Sequence, residues 1–268
     1  MDYKIVIPSI YRLDILKKHT LALLLDNNIP LTKIYVFTIN ECYKDYKESL
    51  KGINVINHIS NSGIQGTRNY IRNYFEDGEI IVSLDDDITG FVKYVDSKNL
   101  CKYKDIKKII DVILKNMKEQ NTKLGGVNMV SNPFFMNNKV HFKNCLIPAG
   151  FYVFINDKSI MMTNPYELTE DGEMCIRVFK KYGSLVRLNY IGLDTLPTKK
   201  TTGGIQSLLT SQQREAKQKL SDQWLVDNFP EYCAIKNKGV GLRYKTPKAT
   251  NQINLFQNGI YYNLHQPQ

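Results

Sequence analysis

The chain has 268 residues, 43% hydrophobic and 23% charged, an ordinary balance for a folded globular protein that argues against a disordered or fibrous chain. Its apolar runs, such as Leu21–Leu25, fall far short of the roughly 20 residues that cross a bilayer, so no membrane span is expected. The net charge of +10 is unevenly spread: residues 1–90 carry ten Lys and Arg against twelve Asp and Glu, and residues 196–250 carry ten against four. Five scattered cysteines without a CxxC pair argue against a disulfide framework or a zinc knuckle and for a reducing compartment.

In chain order, Lys4–Ile7 reads as a first strand that starts without a signal peptide, and Pro8-Ser9-Ile10-Tyr11-Arg12 as the turn leaving it. A helix with apolar positions Leu13, Leu16, Leu23 and Leu24 follows, then a strand over Lys33–Thr38 ending at Asn40-Glu41. A polar helix over Tyr43–Leu50 leads to a short strand at Val55-Ile56, and a glycine-bearing loop, Asn61 to Gly66, opens a helix over Thr67–Phe75. The β-branched run Ile80-Ile81-Val82, with Leu84, suits a strand buried on both faces. This alternation predicts a mostly parallel α/β sheet with helices on both faces, whose ligands bind beyond the carboxyl ends of the strands. Arg12, Asn40, Glu41, Asn61 and Asp85–Asp87 all fall at those ends.

Farther along, a helix is expected over Tyr103–Gln120, and strands around Gly126–Val130, Lys139–Cys145 and Gly150–Ile155. Thr169–Tyr182 reads as a helix capped by Thr169 and stopped by Gly183, and Ser211–Phe229 as an amphipathic helix holding the only tryptophan, Trp224. The tail past Tyr244 has little periodicity.

Two acidic groups carry the chemistry. Asp85, Asp86 and Asp87 stand where a buried strand ends, and three adjacent carboxylates there repel one another unless a positive charge sits among them. A hard divalent cation, Mg²⁺ or Mn²⁺, fits, because it takes oxygen ligands and shares them with substrate phosphates. Glu170 and Asp171, at the start of a later helix, either complement its dipole or supply a general base. The loop with Gly66 and Arg68 at a helix start favours an anionic group such as a nucleotide phosphate. There is no GxxxxGK[ST] and no GxGxxG, which leaves a P-loop or dinucleotide-binding reading without support.

The succession of strand, Pro8-Ser9, Gly66 with Arg68-Asn69, and Gly78-Glu79 leading into Asp85-Asp86-Asp87 resembles a nucleotide-sugar glycosyltransferase of the GT-A fold. Ile7-Pro8-Ser9 with Arg12, then Glu170-Asp171-Gly172-Glu173 with Arg177 and Gly183, and Lys199 with Gly203-Gly204, is similar to the TET-associated glycosyltransferases of phages and large DNA viruses, relatives of the base-J glucosyltransferase. That resemblance implies a GT-A-like core over residues 1–204, divided into a nucleotide-sugar half (1–90) and an acceptor half (91–204), followed by a basic helical extension and tail over 205–268.

It further implies transfer of glucose from UDP-glucose, with inversion, to a hydroxymethylated pyrimidine in DNA, in the cytoplasm or in a host's cytoplasm. Asp85 and Asp87 would hold the metal and diphosphate, with Asp86 beside them; Pro8, Ser9, Arg12 and Arg68 would line the nucleotide; and Asp171, or else Glu170, would deprotonate the acceptor. A C-terminal histidine often completes such a metal site, and His265 is the candidate. Lys199, Lys200, Arg214, Lys217, Lys219, Arg243 and Lys245 would contact DNA phosphates, and Phe134, Phe135, Tyr152 or Trp224 would either stack on a base or belong to the core. The alternatives are a glycan or protein acceptor, a nucleotidyltransferase, and a non-catalytic nucleic-acid-binding module.

Overall fold

The structure is a computed structural model, and it describes residues 2–58, 63–196, 210–237 and 241–247. Strand β1 (Lys4–Pro8) is followed by α1 (Leu13–Leu16), a π turn over Lys17–Leu21, and α2 (Ala22–Asp26). Then come β2 (Ile34–Thr38), α3 (Asn40–Ser49), β3 (Asn54–Asn57), α4 (Gly63–Tyr74) and β4 (Ile80–Leu84). A hairpin of β5 (Ile88–Tyr94) and β6 (Leu100–Tyr103) precedes α5 (Ile106–Glu119), β7 (Leu124–Asn128), β8 (Val140–His141) and β9 (Phe151–Ile155). The chain continues through α6 (Glu170–Tyr182), β10 (Val186–Thr195), α7 (Ser211–Asn228), β11 (Cys233–Ile235) and β12 (Leu242–Tyr244).

Ten strands form one sheet in the order β3-β2-β1-β4-β9-β7-β10-β5-β6, with β8 beside β10. The first four are mutually parallel, and β6, β7 and β10 run the same way; only β5, β8 and β9 oppose them. The expected mostly parallel sheet is therefore present, and the strands beyond residue 90 up to β10 continue it. The two-residue alternation of side chains distributes the core between the faces. Ile5 and Ile7 pack with Leu16, Tyr46 and Ile110 on one face, while Val6 packs with Phe37, Ile71 and Phe75 on the other. In β9, Phe151 and Val153 face the first side, and Tyr152 and Phe154 meet Met174 and Val178 of α6 on the second. Each such fully buried side chain contributes about 1.5–3 kcal/mol. Helix α5 lies so close to β7 that a Cβ on Gly125 would collide with Ile113.

Several boundaries differ from the sequence reading. The hairpin β5–β6 occupies residues expected to lead directly into a helix, and α5 starts at Ile106 rather than Tyr103 because Asp105 accepts from Lys108 N (2.9 Å) and caps it there. Helix α4 starts at Gly63, a turn earlier than Thr67. The strand expected over Lys139–Cys145 shrinks to two residues. Thr169 precedes α6 in a left-handed conformation (φ 57°) and makes no capping bond. Helix α7 matches its expected span but is not amphipathic along its length: its first half is exposed, and burial is confined to Ser221, Asp222 and Leu225 in its second half. Beyond it the pair β11–β12, which no periodicity announced, packs Cys233 and Leu242 against Ile176 and Leu225.

Candidate active site

The aspartate triplet forms the turn between β4 and β5, and that turn is fixed from behind. Thr20, fully buried in the π turn, donates to the Asp85 carbonyl (2.7 Å) and accepts from Ile88 N (3.0 Å). Local π geometry frequently marks functional sites, and here it delivers the hydroxyl that brackets the turn. Asp86 turns into the protein, where it accepts from Ser9 Oγ (2.7 Å) and Arg12 Nη1 (2.7 Å). Ser9, itself 2% exposed, also meets Tyr46 Oη at 2.9 Å. Burial pushes the Asp86 carboxyl up to about 7 in spite of Arg12. Ser9 and Asp86 thus hold β1 to the triplet, with their polar atoms on each other.

Asp87 accepts from Arg12 Nη2 (2.8 Å) and Asp85 from Arg68 Nη2 (3.0 Å). Each keeps one carboxylate oxygen that takes no hydrogen bond among the described residues. Burial raises the pKa of Asp85, and Asp87 adds to the rise against the pull of Arg68. Two such oxygens on neighbouring residues, that of Asp85 beside a cavity, with negative charge in excess, suit a hard divalent cation whose other ligands would be phosphates and water. Among the described residues no group of three His, Cys, Asp or Glu side chains could hold a metal by itself. His265 lies outside the described residues, as do Asn61, Lys199 and Lys200.

Arg68 is the bridge of the site. It is 3% exposed on α4, contacts Ser83 Oγ at 3.3 Å and Asp85 at 3.0 Å, and pairs through Nε with Glu170 Oε1 at 3.5 Å. Its guanidinium lies 5.7 Å from the centre of the Tyr152 ring. The residue expected to meet a phosphate therefore ties the aspartate triplet to the second acidic pair. Gly66 occupies the first turn of the same helix, and Asn40 opens α3, where its side chain accepts from Asn57 at the end of β3.

Glu170 and Asp171 begin α6. The backbone before them is strained, since Glu167 and Thr169 both adopt left-handed φ (55° and 57°). Fully buried Glu173 holds the segment by accepting from Thr163 N (2.8 Å), Asn164 N (3.1 Å) and Arg177 Nε (2.8 Å). From α7, Ser221 meets Thr169 Oγ1 (2.6 Å) and Asn164 Nδ2 (2.8 Å). Burial, reinforced by Asp171, pushes Glu170 up to about 7, with Arg68 opposing. Asp171 also lies above the usual carboxylate range through burial, although Gly172 N donates to it (2.7 Å).

The two acidic groups face one cavity of about 620 Å³, within the usual range of about 300–1,000 Å³ for small-molecule sites. Pro8, Arg12, Arg68 and Asp85 line it together with Glu170 and Asp171. Its remaining wall includes Gln218 and Asp222 of α7 and Tyr244 of β12, which the sequence reading did not single out. Tyr244 sits over the start of α6, where a Cβ on Gly172 would lie 2.6 Å from its hydroxyl. Thr20 and Tyr46 were missed too, for they are ordinary helix residues in sequence and gain meaning only from contacts many residues away.

Arg214 lines the cavity, Lys217 pairs with Glu167 (3.9 Å), Lys219 with Glu215 (2.8 Å), and Lys245 donates to the Pro230 carbonyl; Arg243 is exposed on β12. Of the aromatic candidates, Tyr152 is 4% exposed and Trp224 packs on Phe229 (6.2 Å), whereas Phe134 and Phe135 are 81% and 62% exposed.

No protein-family model matches the chain, and no curated protein matches it. Solved structures do. TarS 1–349 of S. aureus in complex with UDP-GlcNAc superposes with a TM-score of 0.55 at 13% identity, over 85% of this chain and 67% of that one. The same fragment with UDP gives 0.52 at 13% identity, over 85% and 66%. The longer TarS structure also gives 0.52 at 13% identity, with 85% of this chain matched to 40% of that one. The chain spans about two thirds of the TarS fragment and less than half of the longer TarS chain. It has the GT-A fold of the nucleotide-sugar glycosyltransferases that the order of its motifs resembles.

Proposed function

We propose that this chain is a metal-dependent glycosyltransferase that moves glucose from UDP-glucose, with inversion, onto the hydroxyl of a hydroxymethylated pyrimidine in DNA. One observation carries the enzymatic reading: two acidic groups, Asp85 and Asp86 of the triplet and Glu170 with Asp171, line a single cavity, and Arg68 joins Asp85 (3.0 Å) to Glu170 (3.5 Å). The fold shared with TarS, crystallised in complex with UDP-GlcNAc, supports a UDP-sugar donor. The resemblance of Pro8-Ser9, Arg12 and Glu170-Asp171-Gly172-Glu173 to the TET-associated group supports the DNA acceptor.

Asp85 and Asp87 would hold Mn²⁺ or Mg²⁺ through their unengaged oxygens. Bound there, the ion would neutralise the charge that develops on the leaving diphosphate. Arg12 and Arg68 fix the two carboxylates, and Pro8 shapes the cavity beside them. Asp171 accepts the acceptor's hydroxyl proton. That oxygen attacks the anomeric carbon from the face opposite the diphosphate, the new glycosidic bond forms as the bond to the β-phosphate oxygen breaks, and UDP leaves with the electron pair. Burial and the charge of Asp171 push Glu170 up to about 7, which keeps the pair from carrying two full charges near neutral pH. Gln218 and Asp222 of α7 and Tyr244 of β12 line this cavity, which supports an acceptor-side role for that part of the C-terminal extension.

The test measures UDP release and sugar transfer with Mn²⁺, offering UDP-glucose and UDP-GlcNAc as donors. Hydroxymethylcytosine DNA, hydroxymethyluracil DNA and unmodified DNA serve as acceptors. Transfer confined to hydroxymethylated DNA and abolished in Asp87→Ala is the expected result. Metal-dependent UDP release without a DNA preference moves the acceptor to a glycan or protein. Absence of both turnover and UDP-sugar binding overturns the glycosyltransferase.

A further inference from the structure

Large aromatic side chains are normally buried, so an exposed pair held in fixed geometry calls for a partner. After β7 the chain passes Met129, which lines the cavity and is 53% exposed, and turns through Pro133–Phe135. Phe134 and Phe135 project there with ring centres 4.9 Å apart and planes at 88°. The turn is built rather than loose. Asn132 Oδ1 accepts from Phe134 N (3.0 Å), Asn128 Nδ2 donates to the Phe135 carbonyl (3.0 Å), and Met136 beyond them is buried. The segment lies tightly on β10, where a Cβ on Gly192 would come within 2.7 Å of the Val130 carbonyl. Its rings are thus presented in advance, with little ordering left to do on binding.

Charge indicates the partner. Residues 120–156 contain no Asp or Glu, in a chain that has 26 of them, and they carry Lys123, Lys139 and Lys143. Lys139 and Lys143 are exposed just past the aromatic turn. Exposed rings followed along the chain by two exposed lysines, in a stretch of sequence without anions, match a polyanion with flat faces: a nucleic-acid strand whose bases are unstacked.

We propose that the Phe134–Phe135 turn is a stacking platform that receives unpaired bases of the acceptor strand at the rim of the cavity. This rests on the DNA-acceptor reading and adds to it the element that grips the strand. It accounts for the two most exposed phenylalanines of the described chain, which no packing role explains.

The experiment titrates wild type and the double variant Phe134→Ala/Phe135→Ala with a fluorescein-labelled single-stranded oligodeoxythymidine about 12 nucleotides long, a length within the usual site sizes. Both rings are surface groups, so the variant keeps the core, and UDP-glucose binding by calorimetry with Mn²⁺ checks the donor half separately. The expected result is oligonucleotide affinity weakened about 5- to 150-fold for each stacked base lost, with UDP-glucose affinity unchanged and Phe134→Trp/Phe135→Trp binding as well as wild type. Equal oligonucleotide affinity in wild type and the alanine variant, or no oligonucleotide binding by wild type, overturns the platform. So does a variant that loses transfer to a neutral polysaccharide while its oligonucleotide binding is untouched, because the platform then serves a glycan. Failure of wild type to bind UDP-glucose strikes the glycosyltransferase reading and leaves the titration to decide the platform.

Discussion

The two acidic walls of the cavity are built from the same side-chain chemistry and differ in how their charge is met. Asp85–Asp87 has two arginines within 3.0 Å and a serine hydroxyl on the carboxylate that turns inward. Glu170 and Asp171 have one cation near them among the described residues, Arg68, whose Nε lies 3.5 Å from Glu170; Gly172 N donates to Asp171, and burial holds both above the usual carboxylate range, as it does Asp85 and Asp86. A carboxylate fixed by arginines presents a defined oxygen to a cation. A carboxylate stripped of water and poorly compensated is ready to take a proton. The difference in fixing cations is the basis on which the proposed function gives binding to the first wall and proton transfer to the second.

The largest effect is expected from Asp171→Asn, which keeps the shape and removes the proton acceptor. Transfer should fall about 10²- to 10⁴-fold in kcat while the UDP-glucose Kd stays unchanged. Asp87→Ala should do the reverse and lose Mn²⁺-dependent donor binding first. Stopped transfer assays paired with calorimetry separate the two. If Asp171→Asn weakened donor binding as much as turnover, the division of labour between the walls would be wrong. In wild type the acceptor base works only when ionised, so kcat/KM should climb from acidic toward neutral pH, and this rise should vanish in Asp171→Asn.

A smaller effect appears in stability against pH. The Glu170 carboxyl, raised to about 7, holds its proton in the folded chain at pH values where the unfolded chain has already released it. Stability is therefore highest below the ordinary carboxylate range and declines as pH rises toward about 7. Glu170→Gln removes that slope. Its Tm should gain on wild type between about pH 5 and pH 8 and level off above, as scanning calorimetry would show. A Tm difference constant across that range would mean that Glu170 binds its proton no more tightly in the folded chain than in the unfolded one.

The parallel half of the sheet was legible because each strand there announces itself locally: Ile5-Val6-Ile7 and Ile80-Ile81-Val82 are β-branched runs closed by turn residues, and the triplet falls where the second run stops. The other half depends on pairing across the chain. Strand β5 carries Gly90 and Lys93 and is a strand because β10 and β6 flank it. Helix α7 could be read, but its place in the cavity wall and the strand β12 could not, since Ser221 and Tyr244 carry no periodic signal and acquire a place only by meeting Thr169 and Gly172 at the start of α6. The acidic pair at Glu170-Asp171 could be seen in sequence. Its link through Arg68 could not, as 102 residues separate the partners.

Thr20 gives the finest test, because it touches the first wall without touching ligand. Its hydroxyl is both donor to the Asp85 carbonyl and acceptor from Ile88 N, and valine matches its shape but leaves Ile88 N–H buried without a partner. Thr20→Val should cost about 1–3 kcal/mol in urea unfolding, the usual penalty for an orphaned buried donor. Because the same bonds set the angle at which Asp85 leaves β4, the donor KM should rise as well, while the pH profile of kcat, which belongs to the second wall, should not move. A variant that loses stability yet keeps its donor KM would make Thr20 a brace of the fold alone. A shifted pH profile would show that the walls communicate through the turn as well as through Arg68.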